Sequence, residues 1–122
     1  MQALKILVVD DEPGWRDLLS LELTSEDCAV VTASSADEAL VRLREQSFHL
    51  VITDVRMPGG MDGIDLIQTY RRENPAQKAI FITGYATEEK VEQALERGVV
   101  LCLRKPFESQ ELLNAINSLF KA

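Results

Sequence analysis

Five polar positions stand where short apolar runs stop. Asp10 and Asp11 follow Leu4 to Val9, and Asp54 closes Leu50-Val51-Ile52-Thr53. Thr83 ends Ala79-Ile80-Phe81-Ile82, and Lys105 comes just after Val99 to Leu103. Adjacent carboxylates repel, which raises one pKa or demands a cation between them. Oxygen donors without soft partners suit Mg2+, or Mn2+ in its place, because such an ion takes one or two carboxylates and keeps several waters. A carboxylate beside a metal can attack phosphorus and form an aspartyl phosphate. Charge developing on the phosphoryl oxygens is then countered by a metal, an ammonium and a hydroxyl donor. Taken singly, each residue is ordinary: an acid after a strand, a threonine before Gly84, a lysine before Pro106. Their weight comes from all five falling at strand ends.

Runs of four to six apolar residues closed by turn residues read as buried strands, since helices of that length are marginal. The strands expected are Leu4–Val9, Ala29–Thr32, the run ending at Asp54, Ala79–Ile82 and Val99–Leu103. Helical spacing fills the intervals. Pro13 suits a first helical turn, and Trp15, Leu18, Leu19 and Leu23 form an inward stripe through about Ser25. Ser35 with Glu38 reads as a capping box opening a helix to about Gln46, with Ala36, Ala39, Leu40 and Leu43 inward. Gly63 to Glu73 carries Ile64, Ile67 and Tyr70, and Asn74-Pro75 stops it. Thr87 caps a helix bearing Val91, Ala94 and Leu95 that ends at Gly98. Glu108 or Ser109 opens the last, with Leu112, Leu113, Ile116 and Leu119 on one face. Five strands alternating with five helices imply a doubly wound (βα)5 three-layer sandwich around a parallel sheet, joined by right-handed crossovers. In that fold the carboxyl ends of all strands share one edge, where ligands bind.

At 122 residues the chain suits a single domain over residues 1–122, and 46% hydrophobic with 27% charged residues is a globular balance. A net charge of −7 argues against nucleic-acid binding, which needs a basic face. No apolar run approaches the roughly 20 residues of a membrane span, and Leu4–Val9 starts at once without a signal-peptide layout. Cys28 and Cys102 lie in separate apolar stretches without metal-ligand spacing and read as reduced core residues. A cytoplasmic location follows.

The chain resembles the receiver domain of two-component response regulators over essentially its whole length. The matching pieces are Leu7-Val8-Val9-Asp10-Asp11-Glu12, Val51-Ile52-Thr53-Asp54-Val55-Arg56-Met57-Pro58, Met61-Asp62-Gly63, Ile80-Phe81-Ile82-Thr83-Gly84 and Lys105-Pro106-Phe107. The resemblance implies a flavodoxin-like sheet of order 2-1-3-4-5. It also implies phosphorylation of Asp54 by a sensor histidine kinase or phosphotransfer protein, with Asp10, Asp11, Asp54 and the Arg56 backbone carbonyl holding the metal. Thr83 and Lys105 match the switch hydroxyl and the essential lysine, and Lys105-Pro106 the family's cis peptide. Output would pass through the fourth helix, fifth strand and fifth helix to a downstream protein or output domain, from a monomer or a phosphorylation-dependent dimer. Catalysis would be limited to weak self-phosphotransfer and self-dephosphorylation.

Three departures stand out. Gly59-Gly60 makes the loop before Met61 one residue longer than is usual. Cys102 replaces the Tyr or Phe that normally moves inward on activation, and Tyr85 is a rival ring. Asp27 or Glu26 stands where the first helix normally exits through glycine; Asp27 in the left-handed conformation would cost about 1 kcal/mol. Trp15 reads as packing or a kinase-facing contact, and His49 lies too far from the edge to be the phosphoacceptor. Two other functions compete. One is a receiver-like docking protein that works without phosphate. The other is a metal-dependent aspartyl-phosphate phosphatase, against which Arg56 stands where haloacid-dehalogenase phosphatases carry a second acid. A flavodoxin-like cofactor binder would need a phosphate-cradling loop that is absent.

Overall fold

The structure, a computed structural model, describes residues 4–25, 27–57, 60–84, 89–96 and 99–120. Strands and helices alternate along them: β1 Leu4–Val9, α1 Pro13–Leu23, β2 Cys28–Ala33, α2 Ala36–Glu45, β3 Leu50–Asp54, α3 Gly63–Glu73, β4 Lys78–Thr83, α4 Glu89–Ala94, β5 Val100–Arg104 and α5 Ser109–Phe120. Every strand pairing is parallel, and the order across the sheet is β2-β1-β3-β4-β5. This is the flavodoxin-like arrangement.

Alternation along the strands sorts the core into two layers. Ile6, Val8, Leu50, Ile52, Ile80 and Ile82 pack on α1 and α5 through Leu19, Leu23, Leu112, Ile116 and Leu119. Leu7, Val9, Val51, Ala79 and Phe81 belong to the other layer, with residues of α2, α3 and α4 that include Ala39, Leu43, Ile64, Ile67 and Val91. Strands covered on both faces read as unbroken apolar runs, so their short length and closing turn residues mark them rather than any alternation. β2 and β3 flank β1 on opposite sides, so the loops leaving β1 and β3 part and open a crevice. Asp10 continues the row of Ile6 and Val8, and Asp54 the row of Leu50 and Ile52. Both therefore fall on the α1/α5 side of that crevice, while Thr83 continues the Phe81 row on the other.

Several local expectations change. α1 stops at Leu23, short of Ser25, with Thr24 extended at φ −67° and ψ 124°. No described non-glycine residue has a positive φ, so Asp27 carries no left-handed strain. A Ser25–Cys28 bridge turns the chain instead, and the Ser25 hydroxyl accepts the Asp27 N–H at 3.1 Å. Leu18 and Leu113 are 44% and 43% exposed; each lies about 100° around its helix from the buried neighbours Leu19 and Leu112. Ser35 does cap α2, accepting the Glu38 N–H at 3.1 Å, but the Glu38 carboxylate takes the Ser34 N–H and hydroxyl rather than closing the box. The complete capping box belongs to α3, between Asp62 and Asp65. α4 ends at Ala94, because Glu96 turns to bridge Val100, and this leaves Leu95 exposed. Thr87, Gly98 and the Pro58-Gly59 part of the longer loop lie outside the described residues, as does Tyr85. Among the described residues no helix is long and apolar enough to cross a membrane.

Candidate functional site

Asp10 leaves β1 with its backbone N–H still bonded to the Ala33 carbonyl of β2 at 3.1 Å. Its side-chain Oδ1 accepts the Glu12 N–H at 2.9 Å, and its own carbonyl accepts Arg16 Nη1 from α1 at 2.7 Å. The carboxylate is thus aimed into the crevice from both sides and is buried. Asp54 is buried at the end of β3, where the following Val55 N–H reaches the Ile82 carbonyl of β4 at 3.0 Å. Lys105 is brought alongside by its backbone N–H, which donates to the Thr83 carbonyl at 2.7 Å, and the Lys105–Pro106 bond is cis.

The lysine ammonium then sits among three acids. Nζ lies 3.1 Å from Asp10 Oδ2, 3.6 Å from Asp54 Oδ2 and 3.8 Å from Glu12 Oε1, with the side chain only 11% exposed. Its fourth neighbour is the Trp15 ring, whose centroid is 4.6 Å away. Carboxylate oxygens of Asp10, Asp11, Glu12 and Asp54 all lie within 4.8 Å of one another. Above them opens a cleft of about 380 Å³ lined by Asp11, Glu12, Asp54, Arg56, Gly84 and Lys105. A larger groove of about 570 Å³ at the opposite end of the sheet, against Phe48, His49, Tyr70 and Phe120, has no such gathering of acids. Charge, not size, marks the site.

Burial pushes the Asp54 carboxyl above its ordinary pKa. The Lys105 ammonium opposes that shift, the Asp10 charge adds to it, and the N–H groups of Arg56 and Val55 again favour the anion. One ammonium among four clustered carboxylates leaves negative charge in excess. All the donors are hard oxygens, so the set fits a small divalent cation such as Mg2+ better than a soft one.

The structure therefore brings Asp10, Asp11, Asp54, Arg56 and Lys105 to one cleft, with Thr83 joined to Lys105 through the backbone. Cys102 is not among the cleft residues: it pairs with Phe81 in the sheet register and packs against the α2/α3/α4 layer. Three contributors were not singled out as site residues. Glu12 stands next to Asp10-Asp11, and a third consecutive acid was the available signal. Trp15 had only its place one turn after the acids. Gly63 had its place after Asp62, but its role depends on contact: a Cβ there would lie 2.0 Å from the Asp54 carbonyl oxygen.

Residues 6–117 match the family model described as the response regulator receiver domain. The transcriptional regulatory protein GlrR of Escherichia coli K12 is 38% identical over 112 residues, 92% of this chain but 25% of that protein. A probable chemotaxis protein CheY of Rhizobium etli is 36% identical, covering 99% of this chain and 95% of its own. Among solved structures, the signal receiver domain of an HD domain-containing protein from Pseudomonas fluorescens Pf-5 superposes with a TM-score of 0.88 at 27% identity, over 98% of this chain and 96% of that one. Fold and sequence match thus define an α/β receiver-type domain of two-component signalling. The chain belongs to the response regulator receiver domain family, whose members are signalling switches. It spans about a quarter of the length of GlrR.

Proposed function

We propose that this domain is a phosphorylation-activated switch in which Asp54 receives a phosphoryl group from the phosphohistidine of a sensor histidine kinase or a phosphotransfer protein. A carboxylate oxygen of Asp54 forms the new bond to phosphorus as the donor's phosphorus–nitrogen bond breaks, and the imidazole leaves with the electron pair. Water later adds to phosphorus, the bond to Asp54 breaks, and the carboxylate and inorganic phosphate are released. Asp10, Asp11, Asp54 and the Arg56 carbonyl are the residues that would hold Mg2+ or Mn2+. When bound, the ion supplies positive charge against the developing charge of the transferred group. Lys105 contributes its ammonium to one phosphoryl oxygen and Thr83 its hydroxyl to another. The observation that carries this reading is a buried Asp54 carboxylate in a cleft with a buried acid 3.1 Å and Asp54 itself 3.6 Å from the same ammonium.

Movement of Thr83 toward the phosphoryl group would pass to the surface of α4, β5 and α5, which controls a downstream protein or output domain. GlrR is a transcriptional regulatory protein by name and the Rhizobium protein a chemotaxis protein, and both kinds of output are open to this domain. Residues 1–122 are taken as one domain, monomeric or dimerising on phosphorylation. Its net charge of −7 disfavours direct contact with nucleic acid, and two free cysteines suit a reducing, cytoplasmic setting.

Acetyl phosphate with Mg2+, followed by intact-mass measurement, tests the reading. One phosphate is expected, dependent on the metal, labile to hydroxylamine and absent from Asp54→Asn. A phosphate that survives in Asp54→Asn, or maps to His49 or a serine, overturns it. No phosphorylation at all would favour the phosphate-independent docking protein.

A further inference from the structure

Lys105 is held by two kinds of partner. Asp10, Asp54 and Glu12 hold it by charge, at 3.1, 3.6 and 3.8 Å. Trp15 holds it by the face of a neutral ring, 4.6 Å from the ammonium. The first kind is compromised by the function proposed above, because Asp10 and Asp54 are also the carboxylates that would ligate a cation. Charge they direct toward a metal is no longer directed wholly at the lysine. The ring has no such conflict: an indole face attracts an ammonium through its quadrupole and competes poorly for a hard divalent ion.

The ring is itself fixed. Trp15 is in the first turns of α1, in the core layer shared with Leu19 and Leu23, and its ring meets Phe107 at 5.6 Å between centroids and 36° between planes. Phe107 lies two residues beyond Lys105, so the two aromatics bracket the lysine's own loop. Arg16, next in α1, ties the same helix to the Asp10 carbonyl at 2.7 Å. α1 thus grips both the acid and the lysine of the site.

We propose that Trp15 is a positioning residue that keeps the Lys105 ammonium directed into the cleft when Asp10 and Asp54 are engaged by a cation. The inference rests on Asp54 being the phosphoacceptor. Without the ring, Lys105 spends more time away from the phosphoryl position. Phosphotransfer to Asp54 then slows through the lysine and not through loss of fold.

The experiment compares wild type, Trp15→Phe and Trp15→Leu in acetyl phosphate and Mg2+, each in a Lys105 and a Lys105→Met background. Trp15→Leu should phosphorylate about three- to tenfold more slowly than wild type, with Trp15→Phe between them, since a phenyl face binds a cation more weakly. In the Lys105→Met background the same change should have no further effect, as expected for two residues acting as one unit. A spectroscopic readout needs no metal or phosphate: the Lys105 ε-methylene protons should be ring-shifted upfield in wild-type NMR spectra and move downfield in Trp15→Leu. If Trp15→Leu is unfolded by its amide spectrum, Trp15→Phe alone carries the rate and shift comparison. An equal slowing in both lysine backgrounds, or an unshifted Lys105 methylene in wild type, overturns the inference. A wild type that is not phosphorylated on Asp54 overturns the underlying reading instead.

Discussion

At Asp54, burial is the largest influence on the carboxyl, and it favours the neutral acid. A folded-state pKa raised above the unfolded value gives a contribution that is fully present below the unfolded pKa and is lost as pH rises through the folded one. The ionised carboxylate is therefore a liability to folding at neutral pH that its phosphoacceptor role would require. Thermal unfolding of Asp54→Asn in EDTA should show a higher midpoint than wild type at pH 8, with the gap closing as pH falls towards about 4. Adding Mg2+ should raise the wild-type midpoint more, because an ion that binds only the folded state stabilises it. A gap that does not change with pH would mean the charge is not its source. Cys102 is the contrasting residue: burial pushes its thiol pKa up, so it is a poor nucleophile at neutral pH and acts as a small packing group.

Between elements, the closest fit at the site is where α3 begins against the end of β3. The Gly63 N–H bonds the Val55 carbonyl at 2.9 Å, the Thr53 hydroxyl donates to the Asp54 carbonyl at 3.0 Å, and the Asp62–Asp65 capping box fixes the helix start. A methyl on Gly63 would sit 2.0 Å from the Asp54 carbonyl oxygen and 3.0 Å from Thr53 Oγ1. The backbone oxygen cannot rotate away, so the helix or the strand end must move. Gly63→Ala should cost about 1–3 kcal/mol in urea unfolding and should slow phosphorylation of Asp54, because the displaced strand end carries the acceptor. Full stability with full phosphorylation would show that α3 can shift without moving Asp54.

For the molecule as a whole, Thr83 and Cys102 belong to the sheet face that α4 covers, whereas the acids and Lys105 open on the α1/α5 side. The signal proposed above would therefore cross the sheet at the end of β4. Cys102 is smaller than the aromatic ring that the resemblance to receiver domains implies here, and it would fill less of any space the Thr83 hydroxyl leaves. Beryllofluoride, standing in for the phosphoryl group, should produce large NMR amide shifts at Thr83, Gly84 and α4 and modest ones across β5. Cys102→Tyr should enlarge the β5 response. Dominant shifts on α1 and α2 would place the output face elsewhere, and no enlargement would show that the small side chain does not limit the switch.

The order of elements, the parallel sheet and the five strand-end residues were legible in the chain because each depends on local pattern. Buried runs, turn residues and helical stripes repeat within a few residues, and alternation carries every strand's carboxyl end to one edge. Boundaries were less legible. Leu18, Leu95 and Leu113 are apolar at helical spacing yet exposed, because one residue's rotation or an early helix end decides which side faces the core. Asp27 escaped the strain expected of it because a bridge between Ser25 and Cys28 offered another way out of α1. What only the tertiary structure decided is who meets whom across the crevice. Lys105 lies 95 positions from Asp10 in the chain yet 3.1 Å from it in space, and Trp15 faces that lysine because α1 and the loop after β5 pack on the same side of the sheet. Such meetings are set by register and by how the side chains pack across the crevice, which no stretch of sequence contains by itself.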